Sequence, residues 1–242
     1  MQAVDMASVD SRVSRENTVT QDYLKAIWGA EENGDEGITI RSLASRVGVA
    51  VSTASEKVKR LAAEGLAFHE PYGKVTLTEE GRRRALEVVR RHRLLETYLH
   101  DALGFDWDEV HEEAEILEHA VSDRLLNRID EHLGYPKRDP HGDPIPSADG
   151  QVRILSLVPL RDVPLHFPMQ IARFSDNGAS ALRSLESKGL GLDAVVLVSE
   201  RMSDQTMKVI VQAEEKERLL ELNAQEVALV FVTNVGGETT VY

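Results

Sequence analysis

The 242-residue chain has no cysteine. That absence excludes disulfides, thiolate zinc sites and a cysteine nucleophile, and it leaves the redox compartment open. No run of 18 apolar residues occurs, and the first residues, MQAVDMASVDSRVSREN, lack the apolar centre of a signal peptide. Both absences argue for a soluble, cytoplasmic protein with no membrane partner. Positive charge is also short: 28 Lys+Arg stand against 41 Asp+Glu, a net charge of −13. Taken alone, that balance argues against a nucleic-acid binder. The length is enough for a real core and for two or three small domains.

What charge there is is unevenly spread. Residues 41–93 carry twelve Lys/Arg and six acids, a local balance of +6. Residues 94–135 carry twelve acids and only Arg124 and Arg128, a balance of −10. A basic module followed by an acidic one points to an anionic partner for the first and a cationic partner for the second.

The basic module has a readable shape. VTQDYLKAIWGAEE places apolar residues at 23, 24, 27 and 28, an amphipathic helix from about Val19 that stops at Asn33-Gly34. ITIRSLASRVGVAVSTASEKVKRLAAEGL reads as a helix, a turn at Gly48-Val49 and a second helix closed by Gly65. Ser52 or Thr53 is the expected N-cap, with Glu56 in reach for a capping box. AFHEPYGKVTLT then reads as a hairpin with its tip at Tyr72-Gly73. Two helices about a tight turn and a β-wing make a winged helix-turn-helix. On its second helix Ser52, Thr53, Ser55 and Glu56 occupy the base-reading end, and Lys57 and Arg60 suit phosphates. Arg41 and Lys74 extend the same expected DNA face.

The acidic module carries a different chemistry. HEEAEILEH, residues 111–119, puts His111, Glu115, Glu118 and His119 on one helical stripe, spanning about 100° of arc at 3.6 residues per turn. Ile116, Leu117, Ala120 and Val121 fall on the other side, where a core is expected. In the preceding long helix, TEEGRRRALEVVRRHRLLETYLHDAL, His92 and Glu96 lie at i, i+4 and also share a face. Carboxylates this close repel one another unless something positive sits among them. Oxygen and imidazole donors without sulfur favour a hard or borderline divalent ion such as Mn²⁺ or Fe²⁺.

With QDYLKAIW, SEKVKRLAAEGL, TLTEEGRRRALEVVRRHRLLE, VHEEAEILEHAVSD and the linker PHGDPIP at 140–146, the chain resembles the diphtheria toxin repressor family of metal-dependent transcriptional repressors. The resemblance runs from about Val19 onward and is strongest to the manganese-responsive members. It implies a primary metal site of Asp22, Glu115, Glu118 and His119 and an ancillary site of His92, Glu96 and His111. Iron-responsive members have Met at the Asp22 position and Cys at the Glu115 position; here both are carboxylates. Small manganese regulators have a Glu where this chain has Lys25, so their two-metal arrangement does not carry over. The resemblance further implies that the C-terminal domain lends polar ligands, which in RFSDNGAS would be Asp176, Asn177 or Ser180.

The expected architecture is mostly α with small β parts. A winged helix-turn-helix at 12–84 is followed by a helical dimerisation and metal-binding domain at 85–150. An SH3-like β-barrel follows at 151–242, where VRILSLVPL, LRSLESKGLGLDAVVLVSERM and EVALVFVTNV alternate β-like runs with glycine turns. The expected function is a homodimeric, manganese-activated repressor of metal-uptake genes on double-stranded operator DNA, with Fe²⁺ or Co²⁺ as alternative activators. An iron-dependent repressor of the same family is the alternative. A winged-helix regulator answering to an organic ligand lacks a marked apolar pocket. A metalloenzyme lacks a nucleophile or base motif and leaves the basic module unexplained.

Overall fold

The computed structural model describes residues 6–70, 73–176, 178–213 and 216–235. They form two compact units: residues up to Arg90 with Ala148–Gly150, and Arg91–Ser147 with the residues from Gln151 onward.

In the first unit, helix α1 (Met6–Glu32) buries Tyr23, Leu24, Ile27 and Trp28, the face expected from the sequence. It begins well before Val19, because residues 6–18 contain neither proline nor glycine to stop it. Its end is as expected: the Asn33 side-chain amide donates to the Gly29 carbonyl (2.6 Å), and Gly34 takes a left-handed φ of 86°. Helix α2 (Ile40–Arg46) is capped by the Thr39 hydroxyl, which accepts from the Ser42 amide at 3.1 Å. Helix α3 (Val51–Ala63) corrects the expected cap. Its N-cap is Ala50, with no side-chain hydrogen bond, and Ser52 and Thr53 already lie in the first turn. The tight turn at Gly48 (φ 67°) returns the chain to helix immediately, so no capping box with Glu56 forms.

Strands β1 (Ala67–His69) and β2 (Val75–Leu77) pair antiparallel as the wing, and Ile38 adds a bridge to Val75. Tyr72, assigned to the hairpin tip, lies outside the described residues. Helix α4 (Glu79–Leu103) starts against the wing, and Gly81 makes this possible: a Cβ there would sit 1.9 Å from the Leu66 carbonyl oxygen. Glu31 ties the unit together, accepting from the Leu77 amide and from Arg82, each at 2.8 Å.

In the second unit the remainder of α4 packs on helices α5 (Val110–Leu117) and α6 (Asp123–His132) through Leu95, Leu99, Val110, Ala114 and Ile129. The apolar stripe expected to face the core does not do so. Helix α5 stops at Leu117, Ile116 is 69 % exposed and Leu117 38 %, and Ala120 is also exposed. Only Val121 packs partly against the core. The inward edge is Val110–Ala114–Glu118, which turns the carboxylate–imidazole stripe toward α4 instead.

Strands β3 (Val158–Pro159), β4 (Pro168–Phe174), β5 (Val195–Arg201), β6 (Met207–Ala213), β7 (Lys216–Leu222) and β8 (Val230–Asn234) form one sheet in the order β3-β8-β4-β5-β6-β7. Every pairing is antiparallel, as in an SH3-like domain. Ile171, Phe174, Val196, Val198, Val209, Val211, Val230 and Val232 fill its core. Two assignments change here. Of VRILSLVPL only Val158–Pro159 is strand, and LRSLES belongs to helix α7 (Ala179–Ser187), whose buried Ala181, Leu182 and Leu185 follow helical spacing. Helix α8 (Ala224–Leu229) precedes β8 and is capped by a reciprocal Asn223–Glu226 capping box.

Candidate functional site

The four inward side chains of α4 and α5 converge on His92. Its Nδ1 lies 2.5 Å from Glu118 Oε2 and 4.0 Å from Glu115 Oε1. Its Nε2 lies 3.0 Å from Glu96 Oε1 and 3.2 Å from His111 Nδ1. His111 is also 3.3 Å from Glu96, 3.7 Å from Glu115 and, through Nδ1, 3.4 Å from Asp176 Oδ2 on the segment after β4. His119 Nε2 stands 3.5 Å from Glu118 Oε1. His92, Glu96 and Glu118 are buried, whereas His111 and Glu115 are partly open. Six of the seven sequence-derived ligands therefore form one continuous constellation, with Asp176 added. Asp22 is half-buried on α1 in the first unit. Ser180 is exposed in the first turn of α7, and Asn177 lies outside the described residues.

Two further close groupings of donor atoms are seen. Glu115 groups with His92 and His111, with donor atoms within 4.8 Å of one another. Glu96 groups in the same way with Asp139 and His141, which the sequence reading left in the linker. All three of these residues are buried. Asp139 Oδ1 accepts from the backbone amides of His141 and Asp143, both at 2.9 Å, so the DPHGD turn is pre-set. His141 Nε2 faces the Trp107 carbonyl at 2.9 Å. A carbonyl only accepts, so Nε2 carries a hydrogen and Nδ1 is the ring nitrogen left for a ligand role. Gly142 (φ 97°) lets the turn lie on β4, since a Cβ there would sit 2.2 Å from the Ala172 carbonyl oxygen. The available signal was the Asp-x-His-x-Asp spacing in a proline-bounded turn, outside any helical period.

The electrostatics set carboxylates against imidazoles. Burial pushes the Glu96 carboxyl up, but the charge on His92 and hydrogen bonds from His111 and His92 outweigh it and hold it well below the usual range. The Glu96 hydrogen bond likewise raises the His111 imidazole against the effect of burial. Burial, with Asp143 and Glu96 nearby, drives Asp139 well above the ordinary carboxylate range, and Arg93 offsets only part of that. His92 and His111 thus supply the favourable interactions beside Glu96. Its donors are nitrogen and carboxylate oxygen without sulfur, a set that fits a hard or borderline divalent metal.

On α3 the outward face carries Ser52, Thr53, Glu56, Lys59 and Arg60, with Ser55 at its margin; Arg41 on α2 and Lys74 on the wing are exposed. Lys57 departs from the expected phosphate role. It is buried, and its Nζ donates to the Thr20 hydroxyl at 2.7 Å. Position 57 shares the inward arc with Ala54, Val58 and Leu61, and the lysine stem serves the α1–α3 contact.

Residues 17–75 match the family described as iron dependent repressor, N-terminal DNA binding domain. Residues 78–147 match iron dependent repressor, metal binding and dimerisation domain. The chain belongs to the diphtheria toxin repressor family. The diphtheria toxin repressor of Corynebacterium glutamicum is 39 % identical over 127 residues, 52 % of this chain and 55 % of that protein. The iron-dependent repressor IdeR of Mycobacterium leprae is 33 % identical over 159 residues, covering 63 % and 69 %. Among solved structures, one titled manganese-dependent transcriptional repressor complex with manganese superposes with a TM-score of 0.82. It is 46 % identical, and the match spans 89 % of this chain and all of that one. The chain spans just over half the length of the first of these curated relatives. Diphtheria toxin repressor family members are DNA-binding regulators that bind divalent metal, not enzymes. The helix-turn-helix lies within the first matched region, and His92, Glu96, His111, Glu115, Glu118 and His119 lie within the second. No helix among the described residues is long and apolar enough to cross a membrane.

Proposed function

We propose that the chain is a cytoplasmic, manganese-activated repressor that binds operator DNA as a homodimer and controls metal-uptake genes. The observation that carries the reading is the sulfur-free cluster of His92, Glu96, His111, Glu115, Glu118 and Asp176, where carboxylates rely on imidazoles for positive charge. Similarity to a protein titled a manganese-dependent repressor supports it. His119 next to Glu118, and Asp139 with His141 next to Glu96, enlarge the donor set. Asp22 joins as a ligand on the strength of the resemblance. A bound divalent cation would add positive charge among these acids.

The chain's own residues then do the switching. Once their repulsion is relieved, Glu118, His119 and Asp22 hold the reader helices at the separation of successive major-groove faces, about 34 Å or a multiple. Ordering is then no longer a cost of DNA binding, so metal and operator affinities rise together and reciprocally. Dimer symmetry implies a near-palindromic operator. Arg41, Arg60 and Lys74 contact phosphates, and Ser52, Thr53, Ser55 and Glu56 face the bases.

The name of the iron-dependent repressor IdeR favours iron as a second reading. One titration tests both: operator affinity with no metal, Mn²⁺, Fe²⁺, Co²⁺ and Zn²⁺ at fixed ionic strength, since phosphate contacts alone shift affinity by orders of magnitude with salt. Activation led by Mn²⁺ is expected. Equal affinity with and without every metal would overturn the proposal.

A further inference from the structure

The outward face of α3 holds one acid among hydroxyls and bases. Glu56 has a side chain 72 % exposed, on the arc that also carries Ser52, Lys59 and Arg60, while Ala54, Val58 and Leu61 are buried behind it. Lys59 Nζ meets Glu56 Oε1 at 2.7 Å and is itself 63 % exposed. A carboxylate on a surface that approaches DNA is repelled by every phosphate, a cost that a donor on a base would offset. A carboxylate only accepts hydrogen bonds.

The donors in the major groove are the exocyclic amines of adenine and cytosine. Adenine sets its N7 acceptor beside its amine, facing the second carboxylate oxygen. Cytosine offers its N4 amine with no acceptor of its own next to it. Lys59 occupies Oε1 and offsets part of the charge, leaving Oε2 as the acceptor for a base. We propose that Glu56 is a specificity-determining residue that reads the N4 amine of a cytosine in each operator half-site. This rests on α3 being the DNA reader, and it names one base that the reader requires.

The chemistry also fixes what a conservative change does. A glutamine at position 56 presents one donor and one acceptor, the pair that matches adenine N7 and N6. Glu56→Gln should therefore move the preference from cytosine to adenine rather than abolish binding. Glu56→Ala should flatten it.

The test is selection from randomised duplexes by the full chain with Mn²⁺ at fixed salt, for wild type, Glu56→Gln and Glu56→Ala. A cytosine column in each wild-type half-site, replaced by adenine for Glu56→Gln and lost for Glu56→Ala, is expected. In the selected site, that cytosine is then replaced by its 4-deamino analogue, which lacks only the amine. Wild type should lose about ten-fold in affinity, as one base contact is worth, and Glu56→Ala should lose none. Because Glu56 is exposed, all three proteins should share one circular dichroism spectrum and one melting temperature, which checks the fold. Identical selected sites for the three proteins overturn the inference while leaving metal-dependent DNA binding intact. A wild type that binds no DNA with any metal overturns the reading beneath it as well.

Discussion

Glu118 closes helix α5 with its carboxylate 2.5 Å from the Nδ1 of His92, a residue of helix α4. Both side chains are buried, so the pair offsets part of the desolvation of each. Glu118→Gln keeps the shape and removes the charge. Metal-activated operator binding should fall at least a hundred-fold, while circular dichroism still reports a folded protein, because the apolar contacts through Val110 and Ala114 are untouched. His119→Ala should act in the same direction. A normal metal response in either variant would remove them from the ligand set.

Asp139→Asn tests the part of the cluster that lies in the linker. The amide oxygen still accepts from the His141 and Asp143 amides, so the turn survives. The second carboxyl oxygen does not, being replaced by an amine that cannot bind a metal, and metal affinity at the Glu96–Asp139–His141 group should fall by roughly ten-fold or more. Calorimetric titration with Mn²⁺ should lose or weaken one phase of binding. An isotherm indistinguishable from wild type would leave Asp139 as a turn-former only.

The two helical regions were legible because their signals are local. Glycine and Asn-Gly punctuation bounded α1 and α3, and i, i+4 pairs put His92 with Glu96 and His111 with Glu115. What failed was whatever depends on where a helix stops or which side it turns inward. Periodicity gives α5 an apolar and a polar stripe but not which one faces the core; the attraction between buried carboxylates and imidazoles decided that. Asp139 and His141 were missed because a ligand on a turn obeys no period. Lys57 was misjudged because a lysine reads as surface, whereas a long stem can line a buried contact and find a single acceptor in Thr20.

Lys57 and Arg60 should accordingly separate. Lys57→Ala removes a part-buried hydrogen bond and packed methylenes, so it should destabilise by about 1 kcal/mol, roughly 2–4 °C in Tm for a chain of this size. Its DNA affinity should keep the wild-type salt slope. Arg60→Ala should instead reduce that slope by about 0.9, the value of one phosphate contact. Melting curves and binding at four salt concentrations decide the matter. The opposite pattern would return Lys57 to the DNA face.

Ile116 offers a test of association. It is 69 % exposed on the outer side of α5, next to Leu117, within the region that matches a dimerisation domain. An apolar pair left open on a single chain is what a homodimer would cover. Ile116→Asp should shift the sedimentation profile to monomer and weaken operator binding, with metal affinity changed little because the side chain points away from His92. A dimer of wild-type stability would assign the interface elsewhere.

Metal choice should follow the two carboxylates that replace softer ligands. The resemblance implies that iron-responsive relatives carry Met and Cys where this chain has Asp22 and Glu115. Divalent affinity alone puts Mn²⁺ at the bottom of the first-row series, so a Mn²⁺ response must come from ligand type and geometry. Glu115 stands 4.0 Å from His92 and 3.7 Å from His111, and as a carboxylate it can bind through both oxygens. Thiolate at that position would favour later, softer ions, and a thioether at position 22 would supply no negative charge. Asp22→Met with Glu115→Cys should thus weaken Mn²⁺ activation while Fe²⁺ or Co²⁺ activation is kept or improved. Operator binding is compared for wild type and the double variant under anaerobic conditions, so that the new thiol and Fe²⁺ stay reduced. If the variant keeps the wild-type order of metals, selectivity is set by the ligands shared with the iron regulators, His92, Glu96, His111, Glu118 and His119, and by Asp139 and His141.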